Sequence, residues 1–236
     1  NKNFKYEDKE CQIIVGKRYF SSETYDSIIL ANHNIENLTI PSSISYINSC
    51  AFQFCKRLKT IKIPEDSKIK TISKGLFSFS SIETIYISAG IEEIQNGFCK
   101  NTPKLNKVII SPLNKHFKYI DDQMQIVARK SDDNNEVYDD IIFASRNILS
   151  ATIPKYVKHI RSHSFEGCTK LHSISFHEES ELETIGECAF YNSGFQNITI
   201  PKHVRKIKSD AFSWCDELKI VNIENNSKLE AFSNNI

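Results

Sequence analysis

The sequence contains little of what several common functional classes require. It has only 7 glycines, its formal net charge is +1, and no apolar run approaches the roughly 18 residues that a membrane helix needs. A net charge so close to zero creates no field that would attract nucleic acid or an anionic membrane. A chain of 236 residues is long enough to bury a core. We therefore expect a globular protein with no nucleic-acid partner and no direct membrane insertion.

Catalytic motifs are missing as well. The sequence has no G-x-S-x-G, no H-E-x-x-H and no glycine-rich phosphate loop. Adjacent acidic residues fall in polar connectors, where we expect solvated charges: Asp121-Asp122, Asp139-Asp140 and Glu178-Glu179. We predict no enzyme activity, no catalytic residues and no cofactor.

Cysteine occurs 7 times but never as a C-x-x-C pair, which argues against a zinc ribbon or a thioredoxin-type site. Cys55, Cys168 and Cys215 share one position of the repeat described below. Cys168 and Cys215 are two repeats apart, which is about 10 Å in a stack of strands and too far for a disulfide. We predict small, buried, unpaired thiols.

Four histidines lie close together in the sequence: His159, His163, His172 and His177. The spacing of His159 and His163 would suit a metal site on a helix. The repeat, however, places Ile160 inward between them, and its return segment is not expected to be a continuous helix. We predict that these histidines scatter over the surface and that no metal site is present.

Internal repetition is what the sequence has in abundance. An apolar pair with one residue between its members, often followed by proline, recurs at steps of 23, 24 and 23 residues in each of two blocks, with one step of 43 between the blocks. The pairs are Leu38-x-Ile40, Ile61-x-Ile63, Ile85-x-Ile87, Val108-x-Ile110, Ala151-x-Ile153, Ile174-x-Phe176, Ile198-x-Ile200 and Val221-x-Ile223.

A longer period contains the short one. Shifting the sequence by 113 residues makes about 38 of 113 aligned pairs identical, among them Cys55 with Cys168 and Leu105 with Leu218. We interpret the chain as one domain, residues 1–236, built from duplicated units 1–113 and 114–226 with a partial repeat at 227–236. The last repeat stops at Ile236, one residue before the place of Phe77 and Phe190, so we expect a fragment of a longer array whose end is mobile or contacts a neighbouring chain.

The repeat predicts a solenoid of the α/β to mostly-β class. Each alternating apolar pair suits a short strand with one inward face. We expect all eight pairs to form parallel strands of one continuous sheet on one side of the solenoid, with Leu58, Leu105, Leu171 and Leu218 pointing into the core. The Ala-Phe-x-x-Cys segment suits a short helical or 3₁₀ turn on the opposite side. Residues 1–34 and 114–147 each contain two apolar stretches, which we interpret as strand–loop–strand insertions.

The register Leu-x-x-Ile-x-Ile-Pro-x-x-Val-x-x-Ile-x-x-x-Ala-Phe-x-x-Cys resembles the BspA-like leucine-rich repeats of bacterial and protozoan surface proteins. The segments that carry this resemblance are Leu38–Leu58, Ile153–Leu171 and Ile198–Leu218. The long unit is similar to the protozoan branch, the surface antigen BspA-like proteins. The resemblance implies a curved leucine-rich-repeat solenoid, cell-surface or secreted placement, and adhesion to host or matrix proteins.

The outward column of the predicted strands is the candidate binding surface. Most of its residues are small and hydroxylated, but Lys62, Tyr86, Lys107 and Ile109 on three neighbouring strands break that pattern. An exposed tyrosine beside lysine and aliphatic groups is typical of protein-contact hot spots. Tyrosine and isoleucine are also good strand formers, which is the structural alternative.

Three functional hypotheses follow from these observations. The first is a non-enzymatic surface or secreted module that binds a protein ligand through the concave strand face. The second is a cytoplasmic interaction scaffold of the same fold, which unpaired thiols and the lack of a visible leader would favour. The third is a structural spacer that carries another domain.

Overall fold

The structure, a computed structural model, describes residues 3–7, 10–19, 23–132, 134 and 136–232. The chain forms two compact units, Asn1–His116 and Phe117–Ile236. Their boundary lies three residues from the predicted duplication boundary. The single-domain assignment with its partial repeat 227–236 stays a prediction, and residues 233–236 of that repeat lie outside the described residues.

The described residues of each unit form short strands joined by turns. The first unit contains β1 (Phe4–Tyr6), β2 (Ile13–Gly16), β3 (Ser27–Ala31), β4 (Asn37–Thr39), β5 (Tyr46–Ile47), β6 (Thr60–Lys62), β7 (Thr71–Ile72), β8 (Thr84–Ile87), β9 (Glu93–Ile94) and β10 (Lys107–Ile110). The second contains β11 (Phe117–Tyr119), β12 (Ile126–Arg129), β13 (Asp140–Ala144), β14 (Ser150–Ile153), β15 (His159–Ile160), β16 (Ser173–Phe176), β17 (Thr184–Ile185), β18 (Asn197–Ile200), β19 (Lys206–Ile207), β20 (Ile220–Ile223) and β21 (Ala231–Phe232).

The eight predicted apolar pairs fall at β4, β6, β8 and β10 in the first unit and at β14, β16, β18 and β20 in the second. Ile40 and Ile63, the second members of the first two pairs, directly follow β4 and β6. In the first unit these strands form one parallel sheet in the order β10-β8-β6-β4. In the second they form two parallel pairs, β14-β16 and β18-β20. The prediction of parallel strands is confirmed, whereas the prediction of one continuous ladder is wrong for the second unit.

Alternation explains which side of these strands is buried. Residues one apart on a strand point to opposite faces, so Ile61 and Ile85 are fully buried while Lys62 and Tyr86 are exposed. The last strand departs from the prediction, because Val221 and Ile223 remain about half exposed, at 48% and 46%. Within the described part of the chain β20 pairs on one side alone, with β18.

A second column of two-residue strands lies one turn further along each coil. In the second unit β13, β15, β17, β19 and β21 pair in parallel in that order. In the first unit β3 pairs with β5, and β7 with β9. The second residue of each of these short strands from Ile47 to Ile207 is a buried isoleucine, so the column forms another wall of the core.

The return segments contain turns instead of the predicted helical turns. Each coil has two residues in the left-handed region four positions apart: Cys50 and Phe54, Gly75 and Phe79, Gly97 and Asn101, His163 and Gly167, Cys188 and Asn192, Asp210 and Trp214. A left-handed residue at every fourth position interrupts any right-handed helix. No α- or 3₁₀-helix occurs in residues 3–7, 10–19, 23–132, 134 or 136–232.

The turns are held by hydrogen bonds between coils. The Phe52 amide donates to the Leu76 carbonyl at 3.2 Å, and the Phe54 amide donates to the Ser78 carbonyl at 3.0 Å. The Phe165 amide likewise donates to the Ala189 carbonyl at 2.8 Å. These bonds satisfy backbone groups that a helix would otherwise pair within the segment.

Stacked phenylalanines fill the core beneath the turns. The ring centroids of Phe52 and Phe77 are 5.7 Å apart, and those of Phe190 and Phe212 are 5.6 Å apart. The repeat leucines close the opposite side: Leu58, Leu105 and Leu171 are fully buried, as predicted from the sequence. Leu218 is only partly buried against the same core.

The two insertions share one topology. In the first unit β1, β2 and β3 form an antiparallel meander, and β11, β12 and β13 form the same arrangement in the second. A register shift falls between Ile14 and Val15 in one and between Val127 and Ala128 in the other, which are equivalent positions under the 113-residue shift. The predicted strand–loop–strand twins are therefore confirmed, each with one additional edge strand.

Candidate binding surface on the strand face

Three of the four predicted contact residues form one row across the sheet of the first unit. Lys62 on β6 is paired in register with Tyr86 on β8, which is paired with Ile109 on β10. Lys107 lies two residues earlier on β10, opposite Thr84. Neighbouring parallel strands are about 4.8 Å apart, so the row Lys62-Tyr86-Ile109 spans roughly 10 Å. We call these four residues the strand-face patch.

The strand-face patch is exposed. Tyr86 retains 37% of its accessible surface and Ile109 retains 36%, and both lysines are exposed. An apolar pair flanked by two ammonium groups offers dispersion contacts at its centre and charge at its rim. The structure thus brings together the residues that the sequence singled out. Whether they bind a ligand stays a prediction.

The duplicate unit has a different surface at the equivalent positions. The 113-residue shift relates the strand-face patch to Ser175, Thr199, Ile220 and Asn222. The second unit also carries a hydroxyl contact between Thr152 and Ser175, with their oxygens 3.2 Å apart. The patch is therefore specific to the first unit and is not required by the repeat.

A separate groove lies on the second unit. Its volume is about 450 Å³, and the side chains lining it include Lys118, Tyr138 and Tyr156 together with Asp121 and Glu136. The ammonium groups of Lys118 and Lys130 lie 5.9 and 5.7 Å from the Tyr138 ring centroid. The sequence reasoning did not single out this groove, since most of its residues come from the insertion and Tyr156 alone among those named comes from the repeat.

One acidic pair predicted to be solvated is buried. Asp139 and Asp140 are both fully buried, which corrects the sequence-based interpretation. The Asp140 carboxylate accepts hydrogen bonds from Arg129 Nε at 2.9 Å and from Arg161 Nε at 2.6 and 2.7 Å. Burial of Asp140 is tolerated because the positive charges of Arg129 and Arg161 compensate its carboxylate. Glu178 and Glu179 are exposed, as expected.

The cysteines are less uniformly buried than predicted. None of the seven forms a disulfide, and Cys55, Cys99, Cys168 and Cys215 are buried. Cys11 and Cys50 are exposed and Cys188 is half-buried, so for these three the prediction of a buried thiol is wrong. Cys11, Cys50 and Cys188 have φ values of 54°, 64° and 51°, so each lies in a tight turn at the protein surface.

The prediction that the four histidines lie on the surface is wrong for His163. His172 and His177 are exposed and His159 is half-buried, whereas His163 is buried. A ring nitrogen of His163, a carboxylate oxygen of Glu187 and the Cys188 sulfur all lie within 4.8 Å of one another. The sequence carries no signal for the group of His163, Glu187 and Cys188, because its members come from two coils and only one of them is a histidine.

Each unit is built of coils, and the coils contribute short strands that pair in parallel with strands of neighbouring coils. This architecture defines the class of leucine-rich-repeat solenoids. The family model of the BspA type leucine rich repeat region matches the chain in 6 copies, over residues 23–124 and 137–236. The chain belongs to this family. The finer resemblance to its protozoan branch stays an expectation. A comparison with curated proteins gives no significant match.

Solved structures agree with this fold. A leucine-rich repeat protein from Eubacterium ventriosum matches with a TM-score of 0.64 and 21% identity, over 80% of this chain and 54% of that one. The pneumococcal vaccine antigen PcpA matches with a TM-score of 0.64 and 23% identity, over 82% of this chain and 52% of that one. The matches thus cover about half the length of these relatives. No helix in the described residues is long and apolar enough to cross a membrane.

Proposed function

We propose that this chain is a non-enzymatic protein-binding module and that the strand-face patch is its contact surface. The observation that carries the proposal is the row Lys62-Tyr86-Ile109, which is exposed on three strands in register. Tyrosine supplies a large contact area with few rotatable bonds, and such residues dominate protein–protein binding energies. The open sheet surface suits a protein ligand better than a small molecule, which needs a concave pocket.

The proposed setting is the cell surface or the extracellular space, with a host or matrix protein as the ligand. Membership of the BspA-type family supports this placement. One of the similar structures is described as a vaccine antigen, a description that concerns that protein and agrees with the proposal. A solenoid fold hosts many ligands, so the site must carry the argument for the partner.

A cytoplasmic scaffold is the second candidate, and the free thiols favour it. Exposed thiols at Cys11 and Cys50 are more typical of a reducing compartment than of the extracellular space. Labelling intact cells with a membrane-impermeant amine reagent separates the two settings. Recovery of the labelled native protein supports surface exposure, and labelling only after lysis supports the scaffold.

The contact surface is tested by giving the first unit the residues of its twin. Lys62→Ser, Tyr86→Thr and Ile109→Asn each introduce the residue that the second unit carries at the same place, so the fold tolerates them. Binding is measured on immobilised fibronectin, laminin and collagen. We expect Tyr86→Thr to weaken binding by about 30-fold or more, since truncating a hot-spot residue costs at least about 2 kcal/mol.

Thr199→Ala and Asn222→Ala serve as controls, because these residues stand at the equivalent positions of the second unit. We expect them to bind like the wild type. Unchanged binding by the triple twin variant, with its melting temperature preserved, would assign binding to another surface. A lack of binding to all three matrix proteins by the wild type would contradict the matrix-ligand part of the proposal.

A further inference from the structure

His163 and Cys188 occupy the same turn position on two neighbouring coils of the second unit. Both lie in the left-handed region, with φ values of 64° and 51°. The His163 amide donates to the Glu187 carbonyl at 3.1 Å, so the two coils are held together at this point. The turn register therefore stacks an imidazole next to a thiol, with the Glu187 carboxylate beside them.

The three side chains bring their ligand atoms close to the spacing found around a bound metal. A His163 ring nitrogen, a Glu187 oxygen and the Cys188 sulfur are mutually within 4.8 Å. Tetrahedral zinc has bonds of about 2.0 to 2.3 Å, which places its ligands about 3.3 to 3.8 Å apart. Glu187 is exposed and Cys188 is half-buried, so small rotations of these two side chains can close the remaining gap.

The histidine is fixed by a buried carboxylate. His163 Nδ1 lies 3.1 Å from Glu166 Oε2, and the two side chains retain only 7% and 5% of their accessible surface. The Arg146 guanidinium donates to the His163 carbonyl at 3.5 Å and to the Ser164 carbonyl at 3.0 Å, which holds the turn in place. When Nδ1–H donates to Glu166, Nε2 carries the lone pair that can bind a metal. A carboxylate on the far side of a ligating histidine is the usual outer partner in metal sites.

We propose that His163, Glu187 and Cys188 form a binding site for a divalent cation of the zinc class, with Glu166 positioning His163. A thiolate, an imidazole and a carboxylate together select borderline metals over Mg²⁺ and Ca²⁺, which prefer oxygen ligands. Three protein ligands leave the fourth position of the metal to water. The inference is independent of the strand-face patch, which lies on the other unit.

The duplicate unit provides an internal control for this site. The 113-residue shift relates His163 to Cys50, Glu166 to Gln53, Glu187 to Lys74 and Cys188 to Gly75. The first unit thus has the same turn without the ligand set. Each substitution toward the twin introduces a residue that this turn already accommodates, including glycine at a positive φ of 73°.

Cobalt and zinc titrations of the reduced full chain test the site. We expect one equivalent of Co²⁺ to give the strong visible bands of tetrahedral cobalt with a sulfur-to-cobalt charge-transfer band, and Zn²⁺ to displace it. Cys188→Gly should abolish the charge-transfer band. It should also weaken Zn²⁺ binding by more than about 100-fold, since loss of an outer partner alone costs about 10- to 100-fold. Glu166→Gln should weaken binding by about that smaller factor.

Cys50→Ser is the matched control, because it removes a thiol from the equivalent turn of the first unit. It should bind Co²⁺ and Zn²⁺ like the wild type. Circular dichroism verifies that Cys188→Gly is folded, and Glu187→Lys provides a second ligand-removing variant. Wild-type affinity in both of these variants, weak binding of several equivalents, or a cobalt spectrum without a sulfur band would each overturn the proposal.

Discussion

At the scale of single residues, the buried carboxylate of Asp140 distinguishes the two units most clearly. Arg129 and Arg161 surround it in the second unit, whereas the twin positions in the first are Gly16, Ser27 and Asn48. The sequence showed two adjacent aspartates in a polar connector and gave no reason to bury them. The burial depends on arginines 11 residues before and 21 residues after Asp140, which only the fold brings together.

We expect Asp140→Asn to destabilise the protein by about 3–5 kcal/mol. The substitution leaves two arginines without their carboxylate, and breaking a buried ion pair on one side costs about this much. Urea unfolding monitored by circular dichroism measures the loss. Glu179→Gln, which breaks the exposed pair with Lys155, should leave the unfolding midpoint unchanged. Equal midpoints for both variants would mean that the Asp140 network contributes nothing.

The thiols should differ in reactivity according to their burial. Burial raises the pKa of the Cys55 and Cys215 thiols from the ordinary value of 9.0 to about 11. At pH 8 their thiolate fraction is then about 100-fold lower than that of an ordinary thiol. In the native protein we expect Cys11 and Cys50 to be alkylated rapidly and Cys55, Cys168 and Cys215 slowly. Mass spectrometry without reductant should show seven labelled thiols after denaturation.

The same shift has a consequence for stability at high pH. In the unfolded chain these thiols ionise near pH 9, while in the folded protein they stay protonated to about pH 11. The free energy of unfolding therefore falls as pH rises from about 9 to about 11, because the unfolded chain then loses protons that the folded protein keeps. The contribution of these thiols to stability is fully present only below about pH 9. Rapid native alkylation of Cys55 would contradict both statements.

At the scale of elements, the turns determine how coils stack. Their left-handed residues direct successive amides toward the next coil, as the Asn192 amide donates to the Ser213 carbonyl at 3.0 Å. The residues found in these conformations are glycine, asparagine, aspartate, histidine, cysteine and aromatics, and none is β-branched. A branched Cβ clashes with the backbone at positive φ.

We therefore expect Asn192→Val to cost about 1–2 kcal/mol relative to Asn192→Gly, since a left-handed conformation is strained for a branched residue. Asn192 has a φ of 54° and an exposed side chain, so its packing contributes little to the difference. Thr199→Val, on an exposed strand position, should be nearly neutral because branched residues suit strands. Denaturant midpoints compare the variants. Equal stability of Asn192→Val and Asn192→Gly would remove the conformational argument.

At the scale of the whole molecule, both columns of strands and the column of turns carry hydrogen bonds from coil to coil. Turn amides such as those of Phe77 and Phe190 donate to the next coil at 2.9 and 2.8 Å. An ordinary surface turn lacks such bonds and exchanges its amides quickly. Neighbouring coils within a unit are thus joined through their turns as well as through the strands that pair.

Native-state hydrogen exchange should detect this bonding. We expect the amides of Phe52, Phe77, Phe165 and Phe190 to exchange as slowly as strand amides such as that of Ile85, although they lie in turns. Exchange is read by mass spectrometry or nuclear magnetic resonance. Slow exchange confined to the strands, with fast exchange at these four positions, would show that the turn column opens independently.

The sequence by itself determined the repeat, its parallel strands and most of the residues of its core, although Val221 and Ile223 remain about half exposed. A 23- or 24-residue step with alternating apolar pairs leaves one way to bury Ile61 and Ile85 together, and the duplicated insertions follow from the 113-residue shift. The exposed row Lys62-Tyr86-Ile109 was predictable for the same reason, since alternation along paired strands assigns each residue to a face.

Only the tertiary structure decided the conformation of the turns, the burial of Asp140 and the grouping of His163 with Cys188. Left-handed residues leave a weak sequence signal, because cysteine, histidine and phenylalanine occupy them here as well as glycine. Polar clusters form between side chains on different coils, and which side chains meet depends on their rotamers and on how the coils pack. Periodicity fixes which coil a residue occupies, whereas burial and contact chemistry emerge only when the coils are stacked.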